Sequence, residues 1–352
     1  MKNIKHLLFL LIFISGVTMA QTIRPIRDDI GFCWKADEMN QLMNYLSDIN
    51  KITEISSNNL IAAISPHDDY LYAGNIYYTL YPHIKTKEVV IFGVTHGTVR
   101  KAMNDPRDIL IFDDYDEWQG PYGNVKVSPL REFIKNKLNR DYQLVSDEAQ
   151  NIEHSIEALV PFLQYYNRDV KITPIMVTGM PYERMEKISK ELSGIISEYI
   201  KENKLQLGKD IFFLISTDAN HYGKDFNNAP YGEDEAAHKK ATDRDKEIGN
   251  KIFNGELTKE KVKELADDFW PERKANKICP LWCGRYPIPF GLMTTINVVN
   301  EISGKKIIGK FLGYSNSWTE GVIPVYHTNM GLTAPFSLKH WVGYAAAGFY
   351  LK

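Results

Sequence analysis

The stretch Glu88-Val89-Val90-Ile91-Phe92-Gly93-Val94-Thr95-His96-Gly97 is apolar on successive residues and then breaks into a polar end bounded by glycine. A half-buried strand alternates apolar with polar residues. A run that is apolar on both faces belongs to a strand covered from both sides, as in a parallel sheet between helices. The same pattern recurs at Leu60 to Ile64, Val170 to Val177 and Ile211 to Thr217. Helix-like stretches lie between these runs, at Tyr72 to Tyr81, Pro129 to Leu138, Glu153 to Tyr166 and Tyr182 to Lys201. Buried strands alternating with amphipathic helices predict an α/β fold: a single domain with a mainly parallel central sheet flanked by helices. Asp218 to Pro289 is more polar, with helical pattern over Asp234 to Phe253 and Leu257 to Phe269, and is expected to cover one end of the sheet. Trp341 to Leu351, rich in aromatic and small residues, is expected as a late strand inserted in the core.

In open α/β sheets, ligands bind in the crevice beyond the carboxyl ends of the strands. Three of the four strand runs lead there into polar constellations: Ser65-Pro66-His67-Asp68-Asp69-Tyr70, Gly93-Val94-Thr95-His96-Gly97 and Ser216-Thr217-Asp218-Ala219-Asn220-His221-Tyr222-Gly223. One histidine after a strand is most often a hydrogen-bonding residue. His67, His96 and His221 in equivalent topological positions point instead to one shared pocket, and imidazole is the commonest protein ligand for Zn, Cu and Fe. Glu153-His154-Ser155-Ile156-Glu157 is expected to open a helix, its carboxylates favoured by the helix dipole. The sharper role for His154 is to shape the pocket or bind substrate. His83 and His238 fall on helical pattern among polar neighbours, and His327 and His340 lie in loop-like sequence; none is assigned a role.

The chain opens with Lys2 and Lys5, the apolar run Leu7 to Ile14, and small residues at Gly16, Val17, Thr18 and Ala20. This is the layout of a secretory signal peptide over residues 1–20, with cleavage before Gln21 and a periplasmic or secreted mature protein. A membrane span needs about 20 apolar residues, so no span is expected after signal removal. Without Lys2 and Lys5 the formal charge moves from −2 to −4, which points to neither nucleic acid nor an anionic membrane as a partner. With 44% hydrophobic and 12% aromatic residues the chain can bury a large core. Its cysteines are Cys33, Cys279 and Cys283, too few for a disulfide scaffold. A pair such as Cys33 with Cys279, and metal ligation by a thiol left over, are both open on spacing alone.

Taken together, the motifs resemble the Memo family, also called AmmeMemoRadiSam system protein B. The resemblance rests on Arg24-Pro25 with Gly31 to Trp34, Pro66-His67 with Tyr70 and Gly74, and Gly93 to His96. It continues through Glu153 to Glu157 with Pro161-Phe162, Ser216 to Gly223, Cys283-Gly284-Arg285-Tyr286-Pro287-Ile288, Tyr314 to Ser317 and Trp341 to Ala346. It therefore spans residues 21–352 in order. It implies a fold similar to the class III extradiol dioxygenases, which use non-haem iron. It further implies metal ligands at His67, His96 and Cys283, and an acid/base at His221 with Asp218. Thiolate in place of carboxylate softens such a site toward copper, or toward reduced iron. The family's second name implies a radical-enzyme system as partner. Where the family usually has Ala-Gly after Pro-His, this chain has Asp68 and Asp69, either of which could add a ligand or orient His67. A second histidine is common after His96, where Gly97 stands here.

Three functions are compatible with these residues. The first is a metal-dependent oxidoreductase acting on an unknown small molecule, with His67, His96 and Cys283 as ligands and His221, Asp218 and His154 as catalytic residues. The second is a non-catalytic copper- or iron-binding redox protein. The third is a zinc hydrolase, disfavoured because the order of His, Pro and acids around Pro66 to Asp69 is wrong for a deacetylase motif.

Overall fold

The computed structural model describes residues 21–50, 59–270 and 278–352; residues 1–20, expected as a signal peptide, lie outside the described residues. Four strands form the heart of the sheet in the order Lys171–Val177, Glu88–Val94, Ile211–Ser216 and Leu60–Ser65, all parallel. They are buried almost throughout because successive residues enter opposite layers. Val90 and Phe92 join the cluster that holds Ile188, Leu192 and Val299, whereas Val89 and Ile91 join the cluster that holds Tyr70, Tyr77 and Phe162. Register pairs Val90 with both Thr173 and Phe213, and Ser65 with Ser216. The carboxyl ends of these strands therefore lie along one line.

The sheet then continues antiparallel. Trp341–Leu351 pairs with Leu60–Ser65, opposing Ala347 to Ile64, and Ile307–Asn316 pairs with Trp341–Leu351 from Leu351 to Gly343. The late core strand thus stands where expected, and its small residues Ala345, Ala346 and Ala347 are fully buried. The partner Ile307–Asn316 gives little sequence signal because it is half-exposed and interrupted by Gly309, Lys310 and Gly313. At the opposite edge, short strands at Val125–Val127, Glu117–Trp118 and Ile23–Arg24 extend the sheet, and Leu110–Phe112 joins Gln143–Val145 to Lys171–Val177.

One face is covered by Tyr182–Glu202 and by Pro287–Ile302. The latter helix is nearly all buried, so it lacks the polar stripe by which a surface helix shows itself. The region after Asp218 does more than cover one end. Its helix Glu235–Phe253 packs on the two antiparallel strands, putting Ile248, Ile252 and Phe253 into the main core. The helix expected over Glu153 to Tyr166 starts late: a 3-10 turn spans Glu157–Leu159 and the α-helix is Val160–Tyr166. Residues 153–155 are held instead by side-chain contacts described below.

From Glu235–Phe253, the fully buried Asp245 accepts from Trp282 Nε1 at 2.8 Å and from Tyr314 OH at 2.8 Å. Burial pushes its carboxyl up to about 7. Asp245→Ala leaves both donors unpaired in the interior, each costing about 1–3 kcal/mol. Denaturant unfolding of this variant should show a loss of about 2–6 kcal/mol, and Asp245→Asn a smaller one.

Candidate metal centre

His67 leaves Leu60–Ser65 across Pro66 and is 1% exposed. Its Nδ1 lies 2.7 Å from Ser216 Oγ, and that hydroxyl donates its single proton to Ser155 O at 2.5 Å. Ser216 can therefore only accept from the ring, so the proton sits on Nδ1 and Nε2 keeps its lone pair. Nε2 lies 3.3 Å from Cys283 Sγ and 3.3 Å from Asp218 Oδ2, while the His67 backbone N–H donates to Asp218 Oδ1 at 2.9 Å. Burial, followed by the neighbouring His96 and His154, lowers the His67 pKa well below its ordinary value.

His96 is oriented by the same logic. Its Nδ1 donates to Glu153 Oε1 at 2.7 Å and its backbone N–H to Oε2 at 2.9 Å. Glu153 also accepts from the backbone N–H groups of His154 and Ser155, at 3.0 and 2.9 Å. Burial opposes ionisation of Glu153, but His96, their hydrogen bond and His154 outweigh it and hold the carboxyl below its usual range. Glu153 thus anchors a histidine rather than stabilising a helix dipole, which is why the 153–155 backbone is a clamp and not a helical turn. Ser155 Oγ completes the clamp by accepting from Val94 N–H at 2.9 Å. Gly93 permits this approach: a Cβ there would meet Ile156 Cγ1 at 2.4 Å.

The clamp brings His154 to the other two rings. It stacks on His96 with centroids 4.6 Å apart and planes 10° apart, and stands edge-on to His67 at 5.5 Å. Burial, then His96, lowers its pKa to about 3. His67, His96 and His154 can place one ligand atom each within 4.8 Å of the others, and so can His67, Asp218 and Cys283. The ligands implied by the resemblance are thus divided between two groups that share His67, and His154 joins as a third imidazole.

Cys283 is delivered by the 3-10 turn Cys283–Arg285, which packs on the end of Ile211–Ser216. Its Sγ accepts from Asp218 N–H at 2.9 Å, and Gly284 N–H donates to Thr217 Oγ1 at 3.0 Å. A Cβ on Gly284 would lie 2.2 Å from Thr217 Oγ1, so only glycine lets the turn come this close. Burial, then Asp218, raises the Cys283 thiol pKa. The Cys33–Cys279 disulfide left open by spacing does not form: Cys33 is a buried free thiol.

Asp68 and Asp69 do not orient the His67 ring. Asp68 Oδ2 accepts from Tyr344 OH at 2.8 Å, and Asp69 Oδ2 accepts from Thr333 N–H and Oγ1 at 2.7 and 3.0 Å. The carboxylate that reaches His67 is Asp218, whose pKa is raised by burial and then by Asp68. His221 opens a two-residue strand paired with Val342 and Trp341. Its Nδ1 donates to Ala219 O at 3.3 Å, which leaves the lone pair on Nε2. It lines a cleft of about 260 Å³ together with His96 and Cys283. His238, expected on helical pattern among polar neighbours, is on a helix and only partly exposed, edge-on to Trp341 at 4.9 Å.

Ser216, Ser155 and Glu153 stand in motifs legible in sequence, but their roles as acceptors that orient the site are not. The one local signal is that Glu153 and Ser155 flank His154.

The structure defines an α/β protein with a histidine- and cysteine-bearing crevice at the carboxyl ends of its parallel strands. The chain belongs to the Memo-like family, whose model matches residues 32–322. It is 33% identical over 189 residues to a MEMO1 family protein of Aquifex aeolicus, covering 53% of this chain and 62% of that one. It is 29% identical over 204 residues to one from Pyrococcus furiosus, covering 56% and 64%. A third, from Pyrococcus horikoshii, is 28% identical over 230 residues, covering 62% and 72%. The matched part is less than two thirds of the first two relatives.

Burial, then His96, lowers the pKa of His221 from 6.5 to about 4. The ring is neutral in the fold, whereas the unfolded chain takes up a proton below pH 6.5. Its contribution to stability is present above 6.5 and is lost as pH falls from 6.5 toward 4. Thermal melts of the metal-free protein should show a steeper acid-side drop for wild type than for His221→Gln. Equal slopes would contradict the neutral, partly buried ring.

Proposed function

We propose that this chain is an exported metal-dependent oxidoreductase of the dioxygenase-like kind, holding copper or iron at His67 Nε2 with His96 and Cys283 as further ligands. The observation that carries this is the pair of acceptors, Ser216 and Glu153, that take the Nδ1 protons of His67 and His96. Metal-bound histidines are oriented in this way by a bond at the other nitrogen. The donor set suits the metal: imidazoles need no deprotonation, and a thiolate favours copper or iron over harder ions. His154 stands within reach as an additional nitrogen.

A bound copper or iron ion would supply redox chemistry and Lewis acidity. The chain's own residues do the rest. Asp218 fixes the Cys283 sulfur and the His67 backbone against each other: its backbone N–H donates to Cys283 Sγ and its carboxylate accepts from His67 N–H. His221, neutral with a free Nε2 on the cleft, is placed to accept a proton from a small-molecule substrate. A radical-enzyme partner belongs to the proposal on the strength of the family's second name. Export rests on Lys2, Lys5 and the Leu7 to Ile14 run. Sequencing of the protein recovered outside the cytoplasm should start at Gln21; a start at Met1 overturns this part.

Metal analysis of the purified protein tests the centre. His67 belongs to both possible ligand groups, so His67→Ala should lose the copper or iron entirely. Glu153→Gln should weaken binding by about 10–100-fold, since it loosens His96 without removing a ligand. Cys283→Ala should reduce metal content; if it does not and His154→Ala does, the donors are three imidazoles. Metal retained in His67→Ala sinks the proposal. With a catechol as probe, the loaded protein should consume oxygen and His221→Ala should not, at equal metal content. No consumption by the loaded wild type would leave a metal-binding protein without turnover.

A further inference from the structure

The cleft beside the histidines has a charge pattern that the metal centre does not use. Arg100, Arg107 and Arg285 line it, against one carboxylate, Asp105. They come from three separate segments. Arg100 is on the helix Gly97–Ala102 that follows His96, Arg107 bridges to Gly179, and Arg285 ends the turn that carries Cys283. Asp105 pairs with Arg107 at 2.9 Å, whereas among the described residues no ion pair involves Arg100 or Arg285. Elsewhere Arg24, Arg131 and Arg244 are each matched by a carboxylate, and Arg168 and Arg184 donate to backbone carbonyls. Three guanidiniums converge here although the chain carries 44 acidic against 42 basic residues.

The rest of the cleft is apolar and aromatic, with Val177, Phe226 and Tyr286 among its walls. Low-dielectric walls focus the field of the cations and strengthen any ion pair formed inside. Guanidinium matches a carboxylate with two parallel hydrogen bonds. About 260 Å³ admits one ring or a short branched chain, below the usual span for larger ligands.

We infer that the cleft binds a small organic acid whose carboxylate is taken by Arg285 and Arg100, with its apolar body between Phe226 and Tyr286 and its far end at His96 and His221. This names the substrate class for the proposed metal centre and rests on that proposal for its catalytic meaning, but the binding itself needs no metal. Arg107, already paired with Asp105, contributes less.

Calorimetric titration of the metal-free full chain with benzoate and with benzamide, its uncharged counterpart of the same shape, tests the inference. Benzoate should bind at least about tenfold more tightly, with a preference that weakens as salt is added. Arg285→Gln and Arg100→Gln should each cut the preference several-fold and the double variant should abolish it, while Arg107→Gln should change it least. Arg100 is exposed on a short helix, so its variant guards against misfolding as the cause. Equal affinity for benzoate and benzamide in wild type overturns the inference, as does a preference that survives in the double variant. Metal binding with no benzoate preference defeats this inference alone; benzoate preference in a protein that takes up no metal defeats the metal proposal alone.

Discussion

Two hydrogen bonds donated by imidazole Nδ1 atoms organise this molecule: His67 to Ser216 and His96 to Glu153. Each uses the ring's one proton on a protein acceptor and so leaves a lone pair in the crevice. Each also ties together segments far apart in the chain, because Ser216 ends a neighbouring strand and Glu153 stands after a different crossover. Without these acceptors the rings would be free to flip, and the clustering of three imidazoles would carry an unmet desolvation cost. The pKa values of His67 and His154, lowered by burial and then by His96, are the electrostatic form of that cost.

The acceptors are in place because the strands end together. Ser65 is in register with Ser216, and Glu88–Val94 lies beside Ile211–Ser216, so residues just past the strands converge whatever their sequence distance. Glycines then set how closely the layers meet. Gly93 admits the 153–155 clamp, and Gly284 admits the cysteine turn against Thr217. The Asp245 carboxylate steadies that turn from behind through Trp282, the residue before Cys283.

Much of the fold is legible in the residues. Runs apolar on both faces mark Leu60–Ser65, Glu88–Val94, Lys171–Val177 and Ile211–Ser216, since a strand covered on both sides cannot afford polar positions. Strands and helices lacking a two-sided or one-sided contrast escape that test. Ile307–Asn316 is half-exposed with glycines, and Pro287–Ile302 is buried nearly all round. The start of the helix after Glu153 is misjudged for a chemical reason: an acidic residue at a helix start and one holding an imidazole look alike in sequence.

The sequence by itself determined which residues could carry chemistry: histidines past three strand ends and a cysteine in a family motif. Only the tertiary structure decided how they are grouped. His67 is common to two ligand sets, His154 stacks on His96, and Asp218, rather than Asp68 or Asp69, reaches His67. The physical reason is that a side chain's partner depends on direction and burial, which follow from strand register and loop packing. Residue type and spacing specify neither. The same holds for Arg100, Arg107 and Arg285, which residue type and spacing do not group and which folding places around one cleft.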